Sequence, residues 1–228
     1  MEYAMPETTV AEASYEPTDR TVPTRSRDRA SYDRALVHAI LDEAYVCHLG
    51  FVRDGAPVVL PTLYGRVGER LYVHGSTGSR PLRMAGEPEP GLAVCLTVTH
   101  VDGLVLARSA FHHSINYRSV VVHGTAHQVT DPDEKRTALD ALVDHVVPGR
   151  SRDSRPANAK ELAATAVLRL DLAEVSAKLR TGGPSDDPED LTLPHWTGVL
   201  PLTSAYGTPI PAADLDPAIA LPDYLTAL

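Results

Sequence analysis

The sequence predicts a mainly β fold with flanking helices (α+β), closed as an antiparallel barrel. Three observations lead there. Five or six strand-like runs lie between Val46 and Val129 with no stretch long enough for a crossover helix, so neighbouring strands must run antiparallel. Asp54-Gly55 and Gly68-Glu69 punctuate the first three runs with tight-turn chemistry. Helical periodicity stands before and after this block rather than inside it.

With 228 residues the chain suits one large domain with appendages. Residues 1–24 mix Glu, Thr, Pro and Ala without periodicity and read as a flexible arm outside the core. The domain spans 25–205, and a Pro-rich tail follows over 206–228. A helix begins at Ser31, its expected N-cap, and carries Ala35, Leu36, Ala39 and Ile40 to about Ala44. Three meandering strands come next. After a break at Ser76–Pro90, Leu92–Thr99 and Gly103–Ala107 read as two strands turning at Val101-Asp102-Gly103, and Ser119–Val129 as another.

Asp131-Pro132-Asp133-Glu134 combines an N-cap, a proline at the first helical position and an early acid, and opens a helix that Pro148-Gly149 stops. A short helix starts at Asn158 with Glu161 three residues on, and Thr165–Leu172 returns as a strand that closes the sheet. Beyond Arg180 there is no Lys or Arg, which suggests an extended surface tail.

Charge and composition exclude several classes of function. Twenty-one basic against thirty acidic residues give −9, and no basic run interleaves with aromatics, so nucleic acid is not an expected partner. Apolar runs reach about five residues against the roughly 18 that span a bilayer, and the N-terminus lacks the basic start and apolar centre of a signal peptide, so a cytoplasmic location without membrane contact is expected. Cys47 and Cys95 sit in apolar runs far from any CxxC spacing and read as reduced core residues.

Three segments carry chemistry. Leu71 to Pro81 runs from a strand into Gly75-Ser76-Thr77-Gly78-Ser79-Arg80. Such a turn has the parts of a phosphate cradle: glycines that let backbone N–H groups approach, hydroxyl donors and an arginine fork. The other reading of the same residues is an ordinary strand-to-helix loop, and the turn matches neither dinucleotide-binding nor P-loop patterns. The second segment, Arg108–Ser119, is dense in polar and aromatic groups. Adjacent His112 and His113 point to opposite faces of an extended chain and no third ligand stands at zinc-site spacing, so no metal is expected. No GxSxG supports a serine hydrolase. Arg118 and Ser119 are candidate anion contacts, with a surface salt bridge as the other reading of Arg118. The third segment holds Trp196, the single tryptophan, which is a packing anchor or a stacking surface for a planar ligand.

Taken in order, LPTLYG, LYVHGSTGSR, DGLVLARSAFHHSINYRSVVVHG, Pro148-Gly149-Arg150, KLRTGGPSDDPED and HWTGVLPL resemble the flavin-nucleotide-binding branch of the pyridoxamine 5′-phosphate oxidase-like superfamily, which includes nitroimidazole-resistance proteins. The resemblance covers about residues 25–205 and implies an FMN-binding split β-barrel, a homodimer with the cofactor in each cleft between protomers. It implies that Ser79 and Arg80 hold the flavin phosphate with Gly75 and Ser76 nearby. Pro61 and Thr62 would border the isoalloxazine, Asn116, Tyr117, Arg118 and Ser119 would lie near the cofactor at the interface, and Trp196 would match the aromatic of the C-terminal arm. His74 matches a histidine beside the flavin, where it donates a proton or only shapes the pocket. Trp196 is followed by TGVLPL without a later basic residue, unlike the oxidase proper, so pyridoxamine 5′-phosphate is not the expected substrate. The implied activity is transfer of hydride or electrons between a pyridine nucleotide and a small planar acceptor such as a nitroaromatic. The alternative is a carrier or sensor of flavin or a tetrapyrrole such as haem.

Overall fold

The computed structural model of the chain describes residues 13–79, 85 and 91–226. A two-residue strand β1 (Ala30–Ser31) precedes helix α1 (Arg34–Glu43), and the strands β2 (Val46–Arg53), β3 (Ala56–Val67) and β4 (Arg70–Ser76) follow as the predicted meander. Positive φ at Asp54 (53°), Gly55 (77°) and Gly68 (58°) makes its two turns. β5 (Leu92–Leu106) and β6 (Ser114–Gln128) each run for 15 residues; then come α2 (Pro132–Val146), α3 (Ala159–Ala164), β7 (Thr165–Asp171), β8 (Glu174–Arg180), β9 (Gly198–Pro201) and a last turn of helix, α4 (Asp223–Thr226).

Six strands close a ring in which β2 pairs with β3, β3 with β4, β4 with β7, β7 with β6, β6 with β5 and β5 with β2, all antiparallel. The long strands overrun that ring. β6 meets β7 only at His127 and Gln128 and otherwise carries β8 over Tyr117–His123, while the far end of β5 carries β9. This division of β6 between two neighbours makes the barrel a split one, as the resemblance implied.

β5 corrects the expected pair of strands. β6 lies alongside its whole length, so the chain does not reverse at Asp102; the register shifts between Val101 and Gly103, leaving Asp102 as a bulge. The helix cap also moves. Ser31 is taken up in β1, opposite Ala177, and Asp33 caps α1 by accepting the Leu36 N–H at 2.7 Å. The Asp131 cap and the Asn158–Glu161 capping box stand as predicted.

Val37, Ile40 and Leu41 of α1 pack into the main core with Leu71, Leu96, Val98, Val122 and Leu168. Tyr15, expected to stand off the core with the rest of the arm, is buried in it at 2% exposure. Its hydroxyl donates to Glu69 at 2.8 Å, and Arg34 lies 4.1 Å above its ring. Cys47 is fully buried and Cys95 partly so, both as free thiols, and burial pushes Cys47 up to about 12. Among the described residues no helix is long and apolar enough to cross a membrane.

α2 lies against β3 where Gly65 removes the obstacle. A Cβ there would come within 3.1 Å of the Leu142 nitrogen and 3.2 Å of Ala141 backbone atoms.

Candidate functional site

Side chains two apart on a strand share a face, so Tyr72 and His74 of β4 both point outward, away from Leu71 and Val73. Tyr72 is covered by α2 through Ala138 and Leu139, and its hydroxyl donates to Glu134 at 2.9 Å. His74, one pleat further on, is exposed. It faces a cavity of about 600 Å³ walled by α2 and by residues 147–157, with Leu63, Leu139, Leu142, Val143 and Val146 as its aliphatic lining. This volume suits a small-molecule site. Arg150 and Arg155 also line it, Arg155 pairing with Glu161 at 2.6 Å. Among the described residues His74 has no hydrogen-bond or ion-pair partner.

The turn after β4 departs from the expected cradle. The Thr77 N–H donates to Ala164 O at 3.0 Å, the Gly78 N–H to Ser76 Oγ at 3.2 Å and the Ser79 N–H to Ser76 O at 2.8 Å. Three backbone donors expected to face an anion are thus spent within the protein. What remains for an anion is the hydroxyls of Ser76, Thr77 and Ser79, with Ser79 half-buried. Arg80, and with it the helix expected after Ser79, lies outside the described residues.

The β6 segment is held differently. The Asn116 side chain accepts from Arg180 at 2.5 Å and donates to Gly182 O at 3.1 Å, and Ser119 Oγ donates to Lys178 O at 3.2 Å. Arg118 donates to both carboxylate oxygens of Asp102 and both of Glu43. Those bonds hold Glu43 and Asp102 below their usual carboxylate values and raise Arg118. Of the expected interface residues only Tyr117 has no side-chain bond among the described residues. His112 and His113 bond to Asp187 and to Ser109 O, and no metal-binding group of His, Cys, Asp or Glu occurs among the described residues.

Pro61 and Thr62 lie on β3 opposite His48 and Cys47, next to the cavity residue Leu63. Trp196 is 69% exposed, and its ring lies so close over Gly198 that a Cβ there would meet it at 2.9 Å. Within one chain, therefore, His74 alone of the expected residues lines the cavity, with Pro61 and Thr62 just before Leu63 and Ser76 paired with the lining residue Thr165, while no hydrogen bond or ion pair among the described residues joins them to Asn116–Ser119 or Trp196. Sequence reasoning missed the α2 and 147–157 walls. The signal available was an apolar face on α2 broad enough to leave Val143 41% exposed.

A family model described as pyridoxamine 5′-phosphate oxidase matches residues 33–179, which contain the whole six-stranded ring. The chain belongs to that family. The family carries the split barrel across very different sequences. The flavocytochrome Anf3 from Azotobacter vinelandii is 39% identical over 93% of this chain and 98% of its own, with a TM-score of 0.86. A FAD and heme binding protein from Mycobacterium smegmatis is 41% identical over 87% of this chain and 96% of its own, with a TM-score of 0.82. A 5-nitroimidazole antibiotic resistance protein described as putative, from Bacteroides thetaiotaomicron, shares the fold at 22% identity and a TM-score of 0.53, over 65% of this chain and 85% of its own. No protein of curated function matches the chain.

Proposed function

We propose that the chain is a flavin- and haem-binding redox protein, and that the cavity beside His74 is its haem site. The observation that carries this reading is a cavity of about 600 Å³ with one aliphatic side and one polar side, lined by a histidine that has no partner among the described residues. The residues fit the group. A tetrapyrrole needs an apolar slot, one imidazole for its iron and cations for its carboxylates. Leu139, Leu142 and Val143 serve the first need, His74 the second, and Arg150 and Arg155 the third. The two relatives near 40% identity, named for a flavocytochrome and for FAD and heme binding, support the same pair of cofactors.

The flavin belongs at the hydroxyl-rich turn, with Ser76, Ser79 and Arg80 holding phosphate, and the mycobacterial relative favours FAD over the FMN expected from sequence. A flavin held there would supply conversion of a two-electron hydride donor to single electrons, and a haem held by His74 would supply a one-electron acceptor. In this reading the planar acceptor expected from sequence is the haem itself, and the donor is a reduced pyridine nucleotide. His74 then fixes the ring rather than moving a proton. A homodimer completes the flavin cleft. The exposed apolar residues Val59, Leu60, Val101, Leu104 and Leu200 give such an interface its core.

The deciding experiment is the absorption spectrum and mass of what co-purifies, followed by NADPH or NADH under anaerobic conditions. A flavin band with a FAD mass, a Soret band and reduction of both groups are expected. Hemin reconstitution without a Soret shift would overturn the haem site, and a flavin that neither nucleotide reduces would favour a carrier.

A further inference from the structure

Beyond β9 the chain runs in the open. Every residue from Pro201 to Leu221 is exposed, Ile210 to 93%, and half-buried residues return only at Pro222, Tyr224 and Leu225. The far end of this stretch is nevertheless tied down, and it is tied to the cavity wall. The Tyr224 hydroxyl donates to Asp153 Oδ2 at 2.6 Å and accepts from Arg150 Nη1 at 2.9 Å, while Arg150 and Asp153 pair at 3.3 Å. Arg150 lines the cavity. The other bonds that hold this wall come from its own neighbourhood: Ser151 to Asp144 by two contacts of 2.8 Å, and Ser154 Oγ to Arg150 O. Among the described residues Tyr224 is the link from a distant part of the chain. Nearer its start, the tail touches the barrel through the hydroxyls of Tyr206 and Tyr45.

We propose that residues 202–226 form a strap whose terminal tyrosine latches the cavity wall, with Tyr224 a positioning residue that acts through Arg150, so that ligand exchange at the cavity requires the strap to lift. This rests on the reading that the cavity holds a planar cofactor. Holding a long open loop at both ends has an entropic cost, and the cluster that opposes it is exposed and screened. Docked and lifted states are therefore close in free energy, as a latch requires.

The test uses the full chain with hemin as the probe. Tyr224→Phe keeps the ring and removes the hydroxyl. Hemin release to excess apomyoglobin should then quicken by about threefold to tenfold, the effect of losing one hydrogen bond of ordinary net strength. Amide hydrogen exchange over 147–157 should quicken with it. Asp153→Asn should act in the same direction, and the double variant should add little to either. If wild type binds hemin but Tyr224→Phe changes neither release nor exchange, the latch is wrong and the haem reading survives. If hemin does not bind yet exchange over 147–157 rises in Tyr224→Phe, the latch stands and the haem reading falls.

Discussion

At the head of β6, Arg118 is held by four carboxylate oxygens from Asp102 and Glu43, and Asn116 and Ser119 are bonded to the neighbouring β8 strand or the turn after it. On β4, His74 stands in an aliphatic cavity with no partner among the described residues. Both regions are rich in polar side chains and both drew attention in the sequence, but one has used its bonding capacity internally and the other has not. Polar capacity spent within the protein is not available to a ligand, whereas an exposed imidazole on a cavity wall, with no partner among the described residues, keeps a donor and an acceptor to offer one. Density of polar residues marks a junction; unspent capacity marks a site.

The largest expected effect tests that contrast directly. His74→Ala should weaken hemin by at least two decades, about 2.7 kcal/mol and so at the upper end of the roughly 1.5–3 kcal/mol of a charge-assisted hydrogen bond, while Arg118→Ala leaves hemin affinity unchanged. Titration by Soret absorbance measures both; equal losses would erase the distinction.

A smaller effect belongs to the flavin phosphate. Arg80→Ala should weaken FAD by about one to two decades and Ser79→Ala by about a decade or less, since the first removes a charged donor and the second a neutral one. Riboflavin lacks the phosphate and should barely respond. Fluorescence titration with both ligands reads the difference, and parallel losses for riboflavin and FAD would make Arg80 structural.

The smallest effect sharpens the other half of the comparison. Arg118→Ala should lower stability by about 1–2 kcal/mol at neutral pH, discounted because all three partners keep contact with solvent. Arg118 holds the two carboxylates below their ordinary values of 4.5 for Glu43 and 3.8 for Asp102. Their contribution is therefore complete above about pH 4.5 and is lost as the pH falls through the lowered folded values. Urea unfolding of both proteins should show a gap that is constant near neutrality and narrows in acid. A gap that widened in acid would contradict the role given to Arg118.

What could be read in advance was local. Asp54-Gly55 fixes a hairpin by its own backbone preference, and Asn158 with Glu161 caps a helix within one turn, so neither waits on distant partners. Asp102-Gly103 carries nearly the same turn chemistry, yet β6 beside it makes a bulge of the place, because the deciding contact lies outside the segment. β9, four residues long, owes its existence to β5. The site divides in the same way. His74 and the hydroxyl turn were visible as residue types, whereas the cavity arises from α2 resting on Gly65, and the spent N–H groups of Thr77, Gly78 and Ser79 arise from bonds that composition does not reveal.

The pairing of Leu71 with Leu170 also sets an order of events as the chain leaves the ribosome. β4 is made long before β7, with α2 emerging between them, so the edge that β7 will cover stays open while the intervening chain is made. Contacts this far apart in sequence form slowly, and the ring cannot close until they do. The cavity wall at Thr165 is part of that last strand. A molecule that binds only the finished cavity draws closure forward by mass action, and the supply of that molecule becomes a determinant of how much folded protein accumulates.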